Sequence, residues 1–283
     1  MDTKSGAFVT NDGVTIRYRE AGSGRPLVML PGFSQTAAEF SKQLDALSDE
    51  YRVIAVDQRG HGDSDKPNYG YRISRFAADL RDLLVTLDIN EVSLLGHSLG
   101  CTVIWNYWDL YGGDRVRSLV LVDQGPTAAI DVAPEDQIRE LGATFTREDA
   151  RNLTAGWRGT PEEAKEASRS IVHLLHTGDL DNQDRNWLLE QNLTLPSEHA
   201  ATLYMDHYGN DWRDILPRIT VPTLIIGGEV SFLASEVAKR NAAQIPNSHL
   251  RIFSAEERGS HIMFWENPNL FNSTVREFLK GAG

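Results

Sequence analysis

Val92-Ser93-Leu94-Leu95-Gly96-His97-Ser98-Leu99-Gly100-Cys101-Thr102-Val103-Ile104 is the stretch whose reading settles the fold. Val92 to Leu95 is a short apolar run that reads as a buried strand, and Leu99 to Tyr111 reads as a helix stopped by Gly112-Gly113. Between them stands a G-x-S-x-G, Gly96 to Gly100. So tight a strand-to-helix turn holds its serine in a strained backbone conformation, and small residues on either side avoid clashes. The helix start then offers free N–H groups and the positive end of its dipole to a developing oxyanion. The bare pattern is weak evidence. The strand before it and the helix after it make Ser98 a candidate nucleophile.

On both sides of this stretch strand-like and helix-like segments alternate. Gly13 to Tyr18 alternates like a half-exposed strand, Pro26 to Leu30 is an apolar run ending at Pro31-Gly32, and Tyr51 to Asp57 is strand-like again. Helical pieces lie around Ala38 to Leu47, and from Ile73 with Phe76, Leu80, Leu83, Leu84 and Leu87 on one face. Val116 to Val122 is the next strand. From Pro126 to Pro217 the pattern breaks into charged helical pieces such as Thr160 to Leu175, with aromatics at Trp157, Trp187, Tyr204, Tyr208 and Trp212. The alternation resumes with the strand Thr223 to Gly227, a helix near Ser235 to Ile245, the strand Leu250 to Phe253 and a last helix from Pro268 to Lys280. Continuous apolar strands separated by helices predict an α/β fold with a mostly parallel sheet covered on both faces. The expected division is a core of residues 1–125 and 218–283 with a helical cap, 126–217, inserted into it.

The composition is that of an ordinary globular chain: 283 residues, 41% hydrophobic and 24% charged. A net charge of −12 argues against nucleic acid or an anionic membrane as partner, but acidity of this size is foremost a solubility feature and says little about substrate; the partner expected is a small-molecule substrate. The single cysteine, Cys101, excludes an intrachain disulfide. The start of the chain lacks the apolar core of a signal peptide, and no apolar run approaches the roughly 20 residues of a membrane span. A soluble, cytoplasmic protein is expected. There is no phosphate-binding glycine loop, so no nucleotide cofactor is implied, and His173 and His176 have no third ligand nearby for a metal. The expectation is an enzyme with neither cofactor nor metal.

Several motifs together resemble the α/β-hydrolase family over nearly the whole chain. They are Gly96 to Gly100, Asp57-Gln58-Arg59-Gly60-His61-Gly62-Asp63-Ser64 in the form D-x-R-G-x-G-x-S, Leu30-Pro31-Gly32, and Gly259-Ser260-His261 before the last helix. Pro31 stands where the family usually has histidine. The resemblance implies an α/β-hydrolase fold, with the cap following the family's sixth strand. It implies Ser98 as nucleophile, His261 as general base, and an oxyanion hole from the backbone N–H groups of Phe33 and Leu99. The acid is where the chain departs. The usual slot after Gly227 reads Gly228-Glu229-Val230-Ser231, with Ser231 in place of the aspartate. The family's other position, at the end of the preceding strand, holds Asp123, which is therefore assigned to orient His261, with Glu229 as the alternative.

The expected reaction is cleavage of a small, largely apolar carboxylic ester or lactone through an acyl-enzyme, under a lid formed by the aromatics of the cap. A cofactor-free dioxygenase of a hydroxylated heteroaromatic, using a His–Asp pair, is the alternative, and a non-catalytic binding protein is the third. Other conspicuous residues take structural readings. His61 is a turn residue, Asp57 and Arg59 pin that turn by a local ion pair, and His97 stands beside the nucleophile without a chemical role. Cys101, Trp105 and Trp108 pack the helix after Ser98.

Overall fold

The computed structural model describes residues 3–129, 131 and 134–282. Eight strands among the described residues form one sheet in the order β1-β2-β4-β3-β5-β6-β7-β8. The strands are β1 (Lys4–Val9), β2 (Thr15–Ala21), β3 (Arg25–Leu30), β4 (Tyr51–Asp57), β5 (Val92–His97), β6 (Val116–Val122), β7 (Thr223–Gly228) and β8 (Ser248–Phe253). β1 pairs antiparallel with β2, and β2 antiparallel with β4; every later pair is parallel.

The central strands are buried on both faces, which is why they read as unbroken apolar runs. Alternate residues divide between two cores. Val28, Leu30, Leu94, Leu119, Leu121 and Ile225 pack on one side with α2 (Ile73–Thr86) and α3 (Leu99–Tyr111). Leu27, Met29, Leu95, Val120, Val122, Leu224 and Ile226 pack on the other with α1 (Ser41–Leu47) and the C-terminal helix, Pro268–Gly281. Burying a Leu, Ile or Val side chain contributes about 1.5–3 kcal/mol, so this doubly covered sheet holds the ends of β5 and β6 rigidly.

Between β6 and β7 run α4 (Ile138–Leu141), α5 (Arg147–Trp157), α6 (Pro161–Leu175), α7 (Asn182–Asn192) and α8 (Ser197–Tyr208), with two isolated bridges in place of strands. Thr146 and Thr160 start α5 and α6 with capping boxes, each hydroxyl accepting from the N–H three residues on. After β7 come α9 (Ser235–Gln244), α10 (Met263–Glu266) and α11, the C-terminal helix. β1 was not foreseen in the sequence. It is an edge strand of Lys4-Ser5-Gly6-Ala7-Phe8-Val9 in which only Phe8 is buried, too short an apolar signal to register. No helix among the described residues is long and apolar enough to cross a membrane.

Candidate active site

Strand β5 ends at His97 and α3 begins at Leu99, so Ser98 alone makes the turn, with φ 51° and ψ −120°. A non-glycine residue there costs about 1–3 kcal/mol and persists only when its surroundings hold it. They do. The Ser98 N–H donates to the Val122 carbonyl at 2.9 Å, and the Cys101 N–H donates to the Ser98 carbonyl at 2.8 Å. Gly100 lies so close to β3 that a Cβ would stand 2.2 Å from the Leu30 carbonyl oxygen. Two more strained non-glycine residues belong to the same region: Ser34, with φ 55°, and Asp123, with φ 51°.

Asp123 follows β6 directly, and its N–H donates to the Ile226 carbonyl at 2.8 Å. That anchor sends its carboxylate to His261, whose Nδ1 lies 2.6 Å from Asp123 Oδ2, both residues being buried. The Ser231 hydroxyl donates to the same oxygen at 2.5 Å and accepts from the Leu233 N–H at 3.2 Å. Glu229 is exposed and takes the Ala255 N–H at 3.1 Å, so it is not brought to His261. The Ser98 hydroxyl points to Gln124 Oε1 at 3.4 Å, and among the described residues it makes no hydrogen bond to His261. Bonds of this kind often close only once substrate is bound.

Ser98, Gln124 and His261 line one cavity, open to solvent, with an empty volume of about 660 Å³. Phe33 also lines it. Neither its N–H nor that of Leu99, the first residue of α3, has a hydrogen-bond partner among the described residues. Free N–H groups beside a helix start can receive negative charge at a substrate oxygen.

Over most of its length the chain is similar to known proteins. The family model described as "alpha/beta hydrolase fold" matches residues 25–268. The chain belongs to the α/β-hydrolase fold family. Non-heme chloroperoxidase CPO-A1 of Kitasatospora aureofaciens is 30% identical over 276 residues, 95% of this chain and 98% of that protein. The 2-(acetamidomethylene)succinate hydrolase of Mesorhizobium japonicum is 41% identical over 240 residues, 82% of this chain and 80% of that one. Among solved structures, the esterase EaEST from Exiguobacterium antarcticum superposes with a TM-score of 0.87 at 26% identity, covering 97% of this chain and 98% of its own.

The walls of this α/β-hydrolase's cavity are mostly apolar: Phe33, Phe145, Ile171, Leu174, Leu175, Tyr204, Phe232 and Leu233. Of the five aromatics expected to form the lid, Tyr204 alone lines the cavity. Trp157 backs it, its ring centroid 5.5 Å from that of Tyr204 and 5.3 Å from that of Phe33. Trp187 stacks on Trp265 at 4.4 Å, away from the cavity, while Tyr208 and Trp212 are buried elsewhere. The largest side chains of the segment anchor it to the core, and aliphatic residues of α6 face the site instead.

The Asp57–Arg59 ion pair does not form. Asp57 accepts from the N–H groups of Ala37 (2.7 Å) and Asp63 (3.1 Å), and its burial raises its carboxyl above the ordinary value. Arg59 turns the other way, to Asp79 and Asp12 at 2.8 Å each. One backbone donor of the turn and one from the segment after β3 already occupy Asp57, and the guanidinium pairs with carboxylates on α2 and in the β1–β2 turn. His61 is buried, with Nδ1 2.9 Å from the Arg59 carbonyl, as suits a turn residue. His173 and His176 face each other edge to face, and no cluster of three metal-binding side chains occurs among the described residues. Cys101, Trp105 and Trp108 are buried packing residues.

Sequence reasoning missed the part played by Ser231, which it treated as a gap, although a hydroxyl in the slot of a missing acid is a donor to whatever acid replaces it. It also missed Glu39. That signal was available: a carboxylate inside Ala37-Ala38-Glu39-Phe40, flanked by small and apolar residues, is a candidate for burial with a partner.

Proposed function

We propose that the protein is a serine hydrolase of small, largely apolar carboxylic esters or lactones, working through an acyl-enzyme. The observation that carries this reading is the buried His261–Asp123 pair, 2.6 Å apart, with its imidazole on the same cavity as the strained Ser98. Ser98 Oγ attacks the ester carbonyl while His261 Nε2 takes its proton, then returns that proton to the departing alkoxide. Asp123 keeps the Nδ1–H tautomer and stabilises the imidazolium. The Phe33 and Leu99 N–H groups receive the oxyanion, each worth about 3–4 kcal/mol in enzymes of this kind. Water, activated by the same histidine, then releases the acid.

Two further observations support the substrate class. The cavity lining carries no lysine or arginine among the described residues, which favours an uncharged substrate over a dicarboxylate such as the one in the Mesorhizobium relative's name. The similar Exiguobacterium protein is named an esterase. Turnover of p-nitrophenyl butyrate by the wild type and not by Ser98→Ala is the expected result. Negligible release from both, with O₂ uptake on a hydroxylated heteroaromatic that survives Ser98→Ala, would leave the His261–Asp123 pair as an oxygenase's base.

The pH profile follows from the surroundings of His261. Burial holds the imidazole below its ordinary value of 6.5; hydrogen bonding to Asp123 opposes this, and neighbouring His97 adds to the lowering. A base must be unprotonated, so a lowered pKa extends its working range downward. The acid limb of kcat/KM is therefore expected to have its midpoint below pH 6.5, and a midpoint above 7 would be incompatible with this environment.

Ser231→Ala removes one of the two donors on Asp123 Oδ2. A hydrogen bond to a charged group is worth about 1.5–3 kcal/mol, and part of that is recovered by water, so kcat/KM is expected to fall about 3- to 20-fold. Wild-type kinetics in that variant would mean that the hydroxyl does not hold the carboxylate.

A further inference from the structure

Glu39 and His97 are each 1% exposed and lie against the site without lining up with any step of the hydrolysis. Glu39 Oε1 accepts the Gly32 N–H at 3.1 Å and lies 3.2 Å from His97 Nδ1. His97 Nε2 lies 3.0 Å from the backbone carbonyl oxygen of His261, and the two imidazole centroids are 4.6 Å apart. The Gly32 backbone packs directly on the ring, where an added Cβ would stand 2.9 Å from His97 Nδ1. One continuous buried chain thus joins the loop that presents the Phe33 N–H to the loop that presents His261.

The protons in this chain are fixed by its acceptors. A carbonyl oxygen only accepts, so His97 Nε2 carries a hydrogen. Between Nδ1 and Oε1 there must then be one proton, shared by the pair whichever atom holds it. Glutamine at position 39 has no arrangement that satisfies all three contacts. If its Oε1 faces Nδ1 and Gly32, the imidazole must either be an uncompensated buried cation or turn a bare Nε2 toward the His261 carbonyl. If its amide nitrogen faces Nδ1, the Gly32 N–H loses its acceptor.

We infer that Glu39 and His97 are a positioning pair that fixes the oxyanion-hole loop and the backbone of the general base relative to each other, so that both meet the reacting carbonyl at once. This rests on the serine hydrolase reading. The pair touches no reacting atom; it acts through Gly32 and His261. Misplacement of catalytic groups by a fraction of an ångström shows in the transition state more than in substrate binding.

The test is Glu39→Gln, with active sites counted by a fluorophosphonate titrant and with phenylboronic acid as a tetrahedral-adduct probe. Expected are a fall in kcat per titrated site of about 10- to 100-fold, KM within about 3-fold of wild type, and a boronate inhibition constant that rises in parallel with the loss in kcat/KM. A role in stability alone would reduce the number of titratable sites and leave kcat per site and the boronate constant unchanged, which overturns the inference. His97→Gln, which retains a donor for the His261 carbonyl but not the contact to Glu39, carries the same test should Glu39→Gln fail to fold. Wild-type kcat per site there is equally decisive against it. If the wild type itself neither reacts with the titrant nor turns over esters, the serine hydrolase reading fails; an active wild type with undiminished variants removes the positioning pair alone.

Discussion

Ser98→Ala is expected to lower kcat for p-nitrophenyl butyrate by about 10⁴- to 10⁶-fold, the loss found when a serine nucleophile is removed while its oxyanion hole stays. The size follows from what the residue does in the proposed cycle. Without Oγ there is no acyl-enzyme, and what remains is water attacking a carbonyl polarised by the Phe33 and Leu99 N–H groups. Folding should not suffer. Ser98 is held by its backbone, through the Val122 carbonyl and the Cys101 N–H, and its hydroxyl makes one 3.4 Å contact to Gln124. Alanine keeps φ 51° at similar cost, so the unfolding midpoint should stay within a few degrees. A loss below about 10-fold, with protein that unfolds like the wild type, would take the serine out of the chemistry.

Much of this candidate site is legible in the sequence, and the division has physical reasons. Ser98, Leu99 and Gly100 are contiguous in sequence, so a local pattern of strand, glycine turn and helix locates them. The central strands were legible because burial on both faces leaves an unbroken apolar run such as Leu119 to Val122. Edge strand β1, with one buried side chain, left no such trace. Two pairs that join distant segments were not readable, whereas the Asp123–His261 pair, 138 residues apart, was expected only through the family resemblance. Ser231 meets Asp123 across 108 residues and His97 meets Glu39 across 58, and nothing in either neighbourhood names its partner. The Asp57–Arg59 pair failed for a related reason: proximity in sequence says which groups can meet, whereas the backbone N–H groups of Ala37 and Asp63 decide which do.

Among the described residues, three of the seven non-glycine residues with positive φ stand where the chemistry is proposed. Ser34, Ser98 and Asp123 all have φ near +50°, and each stands at the mouth of the sheet on a different crossing: after β3, after β5 and after β6. A parallel sheet brings these strand ends to one edge, and a sharp turn at each end lets the chain present a side chain or an N–H there before it leaves. The covered sheet supplies the stability that keeps three such turns in place.

Asp123→Asn is expected to lower kcat/KM by about 10²- to 10⁴-fold, through the tautomer of His261 rather than through loss of fold. Asp123 Oδ2 accepts from both Ser231 and His261 Nδ1, so the carboxylate leaves Nε2 bare to take the serine's proton. An asparagine must present either oxygen or nitrogen to the imidazole. With its amide nitrogen toward Nδ1, the histidine moves its hydrogen to Nε2 and cannot act as a base; with its oxygen there, the stabilising negative charge is still gone. The acid limb of the residual kcat/KM should also move to lower pH, because the carboxylate opposes the lowering that burial imposes on His261. Glu229→Gln is the matching control, and its kinetics should stay within about 2-fold of wild type, since that side chain is exposed and holds only the Ala255 N–H. The reverse outcome, with Glu229→Gln crippled and Asp123→Asn nearly intact, would require His261 to leave a 2.6 Å partner for an exposed carboxylate that holds the Ala255 N–H, and the assignment of the acid would fall with it.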